Sequence, residues 1–176
     1  MAVVVDPSSG EILALANVPV WNPNSPKRGE EMRNRAVLDT FEPGSTAKVF
    51  AVAGALESGA IRPLEPINCE NGAFAVGDHV IHDHKALGWT GPSRILAVSS
   101  NIGAAKIGQR LGRERLQRTL LAFGFGERTQ VGLSGEPRGQ VPLPRPEVTL
   151  ATMRFGPGFT APGLQITMAL AAGAGG

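Results

Sequence analysis

Residues 45 to 59 read Ser-Thr-Ala-Lys-Val-Phe-Ala-Val-Ala-Gly-Ala-Leu-Glu-Ser-Gly. Glu42-Pro-Gly-Ser45 breaks the chain before this stretch and Gly59 is a typical helix end, so we predict a helix from Ser45 to Ser58. Its side chains are apolar around most of the circumference, which is typical of a helix buried in the middle of a domain. The polar pair Ser45 and Lys48 is unusual there and is therefore a candidate for catalysis.

The spacing of Ser45 and Lys48 suits an activated serine. Residues i and i+3 of a helix lie on the same face, so we expect Ser45 Oγ and Lys48 Nζ to lie within hydrogen-bond reach. A serine hydroxyl needs a neighbouring base, and a lysine serves as that base when its surroundings favour the neutral amine. The helix N-terminus favours negative charge near Ser45. The alternative is a capping serine beside a lysine whose head reaches solvent.

Ser99-Ser100-Asn101 is the second polar group in apolar surroundings. We predict that it lies in the middle of a helix from Ser93 to about Leu111, where serine and asparagine are mediocre helix formers. A second serine can pass a proton to a leaving group, and an asparagine amide can orient both a lysine and a substrate carbonyl. The alternative is a polar stripe that faces solvent.

The other predicted elements are short. A strand–turn–strand hairpin is expected over Ala2–Ala16, with its turn at Pro7–Gly10, and no helix or strand period holds from Asn17 to Glu42. We further predict strands at Ala73–Val76 and His79–Ile81, and helices at Arg113–Phe123, Pro146–Met153 and Pro162–Ala172.

The composition favours a globular domain. The chain has 176 residues, of which 42% are hydrophobic and 18% charged, enough for one domain with a core. The arginines between 110 and 118 are spaced like a solvated helix face, so nucleic-acid binding is not predicted. No apolar run reaches the roughly 18 residues of a membrane span, and we expect no signal peptide or anchor in these residues.

Cysteine and histidine give little further chemistry. Cys69 is the only cysteine, so no internal disulfide can form. His79, His82 and His84 lie close together with Asp78 and Asp83, which allows a zinc site. We favour a structural loop there and predict no metal.

The two polar motifs together resemble the serine acyltransferases that recognise penicillin. Ser-x-x-Lys on a buried helix is followed 54 residues later by Ser-x-Asn, a set typical of penicillin-binding proteins and β-lactamases. The surrounding segments resemble the class B, septum- or elongation-type penicillin-binding proteins in order and spacing, from residue 2 to about residue 176. These segments are Val3–Ile12, Asn34-Arg-Ala36, Phe41–Lys48, Ile81-His-Asp83, Leu121–Gly126, Phe155–Thr160 and Leu164-Gln165.

The resemblance implies a fold and a set of roles. The fold would be α/β (α+β), of the penicillin-recognising serine transpeptidase/β-lactamase-like type, with the Ser45 helix between an antiparallel sheet and a helical subdomain. Ser45 would be the acylated nucleophile and Lys48 its base, Ser99 and Asn101 would complete the polar group, and the Ser45 N–H would be one oxyanion donor. Such enzymes cleave a terminal D-Ala–D-Ala bond of peptidoglycan stem peptides, join the acyl group to an amine, bind β-lactams and use no metal or cofactor.

One motif of the family is missing from these residues. The third motif, Lys-Thr-Gly, does not occur, and Lys106 is followed by Ile107-Gly108. We therefore expect residues 1–176 to form a partial transpeptidase domain, holding the N-terminal hairpin and the helical part but lacking the later sheet strands, the pedestal domain and the membrane anchor. Such a piece would be poorly active or inactive and would self-associate. The parent protein is expected at the periplasmic face of the inner membrane, with cell-wall synthesis partners.

Two other functions stay open at this point. A β-lactam sensor or serine β-lactamase uses the same Ser-x-x-Lys chemistry, although no deacylating carboxylate like that of class A enzymes can be placed here. A non-catalytic scaffold would keep the fold for partner binding.

Overall fold

A computed structural model describes residues 1–20, 24, 33–77, 79–143 and 158–175. The chain divides into two compact units. The terminal unit comprises Met1–Pro43, Leu121–Val141 and Phe159–Gly176, and the central unit comprises Gly44–Leu120 and Pro142–Gly158.

The terminal unit begins with the predicted hairpin. Strands β1 (Ala2–Val5) and β2 (Ile12–Ala16) pair antiparallel with an irregularity between Val4 and Val5. Helix α6 (Gly163–Ala174) packs against β1 and supplies the fully buried Leu164. This pairing confirms the predicted hairpin, and the residues of β1 alternate between exposed and half-buried, as expected for a strand that is covered on one face.

Two short elements of the terminal unit were not predicted. Helix α1 (Arg35–Leu38) and strand β3 (Thr40–Phe41) lie in the segment for which no period was found, and β3 pairs with β8 (Ala161–Pro162). The Asn17 side chain accepts from Ala36 N at 2.8 Å and donates to Asn34 Oδ1 at 2.9 Å. One helical turn is too short to show a period, so these side-chain bonds, and not an amphipathic pattern, place α1.

The central unit is built around helix α2. A 3₁₀ turn at Gly44–Thr46 leads into α2 (Ala47–Glu57), and α2 packs along α4 and against α3. Phe50 of α2 and Ile102 and Ile107 of α4 are completely buried. The other elements are β4 (Ile67–Asn68), β5 (Ala73–Val76), β6 (His79–His82), β7 (Trp89–Thr90), α3 (Pro92–Ala97), α4 (Asn101–Leu111) and α5 (Arg113–Ala122).

The single helix predicted from Ser93 to Leu111 is wrong. The chain leaves α3 after Ala97 and begins α4 at Asn101, and between them Ser99 has a φ of 56°, in the left-handed region. Ser99-Ser100-Asn101 therefore forms a turn between two helices. The strands at 73–76 and 79–82 and the helices α5 and α6 are confirmed, whereas the helix predicted at Pro146–Met153 lies outside the described residues.

The mixture of helices and strands confirms the predicted α/β (α+β) class. Within the described ranges, the strands form four antiparallel pairs, β1–β2, β3–β8, β4–β7 and β5–β6. No helix in these ranges has both the length and the apolar character needed to cross a membrane.

Candidate active site

Ser45 lies in the 3₁₀ turn that precedes α2. Gly44 has a φ of 59°, a conformation that glycine adopts without steric cost, and it lets the chain turn sharply into Ser45. Ser45 is exposed and Lys48, in the first turn of α2, is half-buried. Residues three positions apart lie on the same side of a helical turn, which favours an approach of Lys48 to Ser45. The hydrogen bond between Ser45 Oγ and Lys48 Nζ stays a prediction.

Lys48 reaches the second polar motif. Its Nζ donates to Ser99 O at 2.7 Å, to Ser99 Oγ at 3.1 Å and to Asn101 Oδ1 at 2.8 Å. Ser99 and Asn101 follow Lys48 by 51 and 53 positions in the sequence, and both contact the same nitrogen of Lys48. The predicted proximity of Asn101 to Lys48 is confirmed.

The conformation of Ser99 explains how it offers Lys48 two oxygens. A serine in the left-handed region costs on the order of 1–3 kcal/mol and persists where the surroundings fix it. Here the bent backbone presents both the carbonyl and the hydroxyl of Ser99 to Lys48 Nζ. The turn, which the helix prediction missed, is thus the feature that forms the polar cluster.

Ser100 holds the start of α4. It is 2% exposed, and its Oγ accepts from Gly103 N at 2.9 Å and donates to Asp83 Oδ2 at 2.5 Å. Serine is among the residues preferred at a helix N-cap, so this role had a signal in the sequence. Ser100 was considered only as the middle residue of the Ser-x-Asn motif, and its capping role was missed.

His82 and Asp83, at and just after the end of β6, bond the side chain and the backbone of Asn101. Asp83 Oδ1 accepts from Asn101 N at 2.5 Å and from Ile102 N at 3.1 Å. His82 O accepts from Asn101 Nδ2 at 2.9 Å. The amide of Asn101 therefore has its nitrogen on His82 and its oxygen on Lys48, and the two partners set its orientation.

Cys69 packs behind this cluster. Its side chain is completely buried, and Ser100 Oγ lies 3.7 Å from its Sγ. Burial raises the pKa of the Cys69 thiol, and the contact with the Ser100 hydroxyl opposes that rise only in part. The thiol is therefore a protonated packing group at neutral pH.

The histidines do not assemble a metal site among the described residues. His79 and His82 are the two ends of β6, and His84 lies beyond it, exposed. The described residues contain no group of three or more His, Cys, Asp or Glu side chains arranged to hold a metal ion. Asp78, the remaining member of the predicted cluster, lies outside them.

Comparisons with known proteins identify the family of this chain. The profile of the family described as penicillin binding protein transpeptidase domain matches residues 1–174. The chain belongs to this family of penicillin-binding protein transpeptidase domains.

Curated relatives carry names of the same class. The chain is 38% identical over 174 residues to the peptidoglycan D,D-transpeptidase FtsI of Escherichia coli K12, and the match covers 94% of the chain and 28% of that protein. It is 37% identical over 174 residues to the probable peptidoglycan D,D-transpeptidase PenA of Neisseria gonorrhoeae, covering 97% of the chain and 30% of that protein. The chain thus spans less than a third of the length of these relatives.

Solved structures share the fold. The transpeptidase domain of Burkholderia pseudomallei penicillin-binding protein 3 matches with a TM-score of 0.83 and 31% identity, over 98% of this chain and 49% of that one. A peptidoglycan glycosyltransferase from Burkholderia ambifaria matches with a TM-score of 0.84 and 32% identity, over 98% and 52% of the two chains. The penicillin-recognising fold expected from the resemblance is confirmed.

Proposed function

We propose that this chain carries the acylating residues of a peptidoglycan D,D-transpeptidase site, with Ser45 as the nucleophile and Lys48 as its base. The observation that supports this most strongly is the contact of Lys48 Nζ with Ser99 and Asn101, one turn after Ser45. The names of the curated relatives support the substrate class, the D-Ala–D-Ala end of peptidoglycan stem peptides.

The reaction runs through an acyl-enzyme. Ser45 Oγ attacks the carbonyl carbon of the D-Ala–D-Ala peptide bond while its proton passes to the neutral amine of Lys48. The C–N bond then breaks, and the departing amine takes a proton from Lys48 by way of Ser99 Oγ. An acceptor amine attacks the ester carbonyl, its proton returns to Ser45 Oγ, and the cross-linked peptide leaves. The Ser45 N–H donates to the developing oxyanion.

The contacts of Lys48 suit a proton carrier. As an ammonium it has three N–H donors, and Ser99 O, Ser99 Oγ and Asn101 Oδ1 accept from it. As a neutral amine it has two N–H donors and a lone pair, so two of these bonds can hold the nitrogen while the lone pair is available to accept a proton. Asn101 and the Ser99 carbonyl therefore position the base in both protonation states.

The setting of the reaction follows from its substrate. Peptidoglycan is assembled outside the cytoplasmic membrane, so the protein to which these residues belong would act there, on stem peptides and, as inhibitors, on β-lactams. A β-lactam is attacked by the same serine, and a long-lived ester marks the transpeptidase whereas rapid hydrolysis marks a β-lactamase.

Turnover of a stem peptide tests the proposal. The chain is incubated with a pentapeptide ending in D-Ala–D-Ala and a D-amino acid as acceptor, and free D-Ala and the exchanged peptide are quantified by chromatography. We expect Ser45→Ala to abolish both products, and Ser58→Ala, at the far end of α2, to leave them unchanged. Because the third motif is missing from these residues, turnover by the wild type is expected to be slow. Products that persist in Ser45→Ala, or a wild type whose Ser45 is never acylated, would contradict the proposal.

A further inference from the structure

The Ser99–Asn101 turn is held from outside its own segment. Ser99 lies in the left-handed region and its neighbours end one helix and begin another, so local propensity does not specify this conformation. The turn contributes both side chains that meet Lys48. Whatever fixes it therefore also fixes the surroundings of the base.

Asp83 is the group that fixes the turn. Its two carboxylate oxygens accept three hydrogen bonds, from Ser100 Oγ, Asn101 N and Ile102 N. These donors follow Ser99 directly, and they lie 17 to 19 positions from Asp83 in sequence. The carboxylate also carries negative charge at the N-terminus of α4, where the helix dipole favours it.

His82, the last residue of β6, and Asp83, which follows it, act on different parts of Asn101. His82 O holds the side-chain amide, whereas Asp83 holds the backbone N–H. Ser100 links Asp83 to the first turn of α4, because its hydroxyl donates to Asp83 and accepts from Gly103 N. A shift of Asp83 would therefore move Asn101 Oδ1 and Ser99 together, relative to Lys48 Nζ.

We propose that Asp83 is a positioning residue for acyl transfer, which sets the place of Ser99 and Asn101 around Lys48 without touching the substrate. This inference rests on the proposed function. Removal of the carboxylate leaves two backbone N–H groups and the buried Ser100 hydroxyl without their acceptor, and the turn relaxes toward an ordinary helical conformation. Asparagine at this position keeps one acceptor oxygen but replaces the other by a donor.

The test separates acylation from binding. The rate of labelling by a fluorescent penicillin is measured over a range of its concentrations, which gives a first-order acylation constant and a dissociation constant. We expect Asp83→Ala to lower the acylation constant about tenfold to hundredfold, since small misplacements of catalytic groups have effects of that size, with little change in the dissociation constant. Asp83→Asn should fall between Asp83→Ala and the wild type.

Two control variants exclude a general loss of stability. Leu116→Ala removes a buried side chain of α5 in the same unit without touching the turn, and Glu65→Ala removes a carboxylate that binds Arg110. Both should acylate at the wild-type rate while Leu116→Ala lowers the melting temperature at least as much as Asp83→Ala. Equal loss of the acylation constant in Asp83→Ala and Leu116→Ala would overturn the positioning role.

A second measurement does not depend on acylation. The ¹H–¹⁵N signals of the Asn101 side-chain amide report its bond to His82 O, and we expect them to shift in Asp83→Ala and Asp83→Asn but not in Leu116→Ala. Unshifted signals together with wild-type acylation in the Asp83 variants would overturn the positioning role of Asp83 but not the proposed function. A wild-type chain that is never labelled on Ser45 would instead overturn the proposed function.

Discussion

An arginine at position 48 would reproduce the hydrogen bonds of Lys48 only in part and could not act as a base. Both side chains are cations and hydrogen-bond donors, but a guanidinium does not lose its proton in proteins and cannot act as the base. We therefore expect Lys48→Arg to keep a positive charge near Ser99 and Asn101 and to lower the acylation rate by about 10²–10⁴-fold. The rate of labelling by a fluorescent penicillin, followed by gel scanning, measures this.

The matched control for Lys48→Arg is Lys106→Arg. Lys106 lies on α4, pairs with Glu70 Oε1 at 2.5 Å and lies over the Phe74 ring, and arginine can make both contacts. Labelling should be unchanged in Lys106→Arg. Wild-type labelling by Lys48→Arg would show that Lys48 holds the site together electrostatically and is not its base.

Cys69 gives a prediction about pH. Because the folded-state pKa of its thiol is raised above the ordinary value of 9.0, the folded chain keeps a proton that the unfolded chain loses. The contribution of this group to stability is therefore complete below pH 9 and is lost as the pH rises through the folded-state pKa. Urea denaturation at increasing pH should show a steeper loss of stability in the wild type than in Cys69→Ala, and parallel curves would contradict the raised pKa.

At the scale of elements, α2 and α5 approach so closely that one contact admits no side chain. A Cβ built on Gly54 would lie within 2.3 Å of Thr119 Oγ1 and 3.0 Å of Thr119 Cβ. Alanine favours a helix over glycine by about 1 kcal/mol, but overpacking typically costs about 1–3 kcal/mol. We expect Gly54→Ala to lower the free energy of unfolding by up to about 2 kcal/mol in spite of its helix propensity.

A double-mutant cycle identifies the cause. Thr119→Ala removes the hydroxyl and methyl groups nearest to the new Cβ, so Gly54→Ala should cost less in the Thr119→Ala background than in the wild type. Urea denaturation followed by circular dichroism gives the four free energies. Additive effects would mean that the contact with Thr119 does not limit residue 54.

The elements that sequence reasoning found are those with a strong local signal. The hairpin β1–β2 has a β-branched run, a Pro-Ser-Ser-Gly turn and a second apolar run, and α2 ends at the left-handed Gly59 as expected. The Ser99–Asn101 turn was missed because its conformation depends on Asp83 and Lys48, which are distant in sequence. Helix α1 was missed because one turn carries no period.

The residues of the candidate site also differ in how strongly the local sequence indicates them. Ser45, Lys48, Ser99 and Asn101 could be proposed as site residues because their spacing matches a family pattern, and the contacts of Lys48 with Ser99 and Asn101 support the proposal. Asp83 was considered as part of a loop and as a member of a possible zinc cluster, since nothing in Ile81-His-Asp83 indicates that its carboxylate reaches α4. Ser100 had a capping signal, which the assumption of one continuous helix concealed.

At the scale of the whole molecule, the hairpin gives a prediction about association. Among the described strands, β1 and β2 pair only with each other, and Val4 and Leu13 are 49% and 63% exposed. Unpaired strand edges with exposed apolar side chains favour pairing with a second copy of the chain. We expect the weight-average mass in sedimentation velocity to rise with concentration.

Two charge substitutions locate the contact. Leu13→Lys places a charge on the hairpin and should keep the chain monomeric at the concentrations where the wild type associates. Leu64→Lys makes the same change at a residue of the central unit that is 92% exposed, and it should associate like the wild type. Equal behaviour of the two variants, or a wild type that stays monomeric, would contradict association through the hairpin.

The central claim is that Ser45 is the residue that becomes acylated. After prolonged incubation with an excess of a penicillin, the intact mass of the chain should increase by the mass of the whole drug, because opening of the β-lactam ring releases nothing. Peptide mapping by tandem mass spectrometry should place the adduct on Ser45, and Ser45→Ala should remain unmodified. An adduct on another residue, an equal adduct on Ser45→Ala, or no adduct on the wild type would contradict the account.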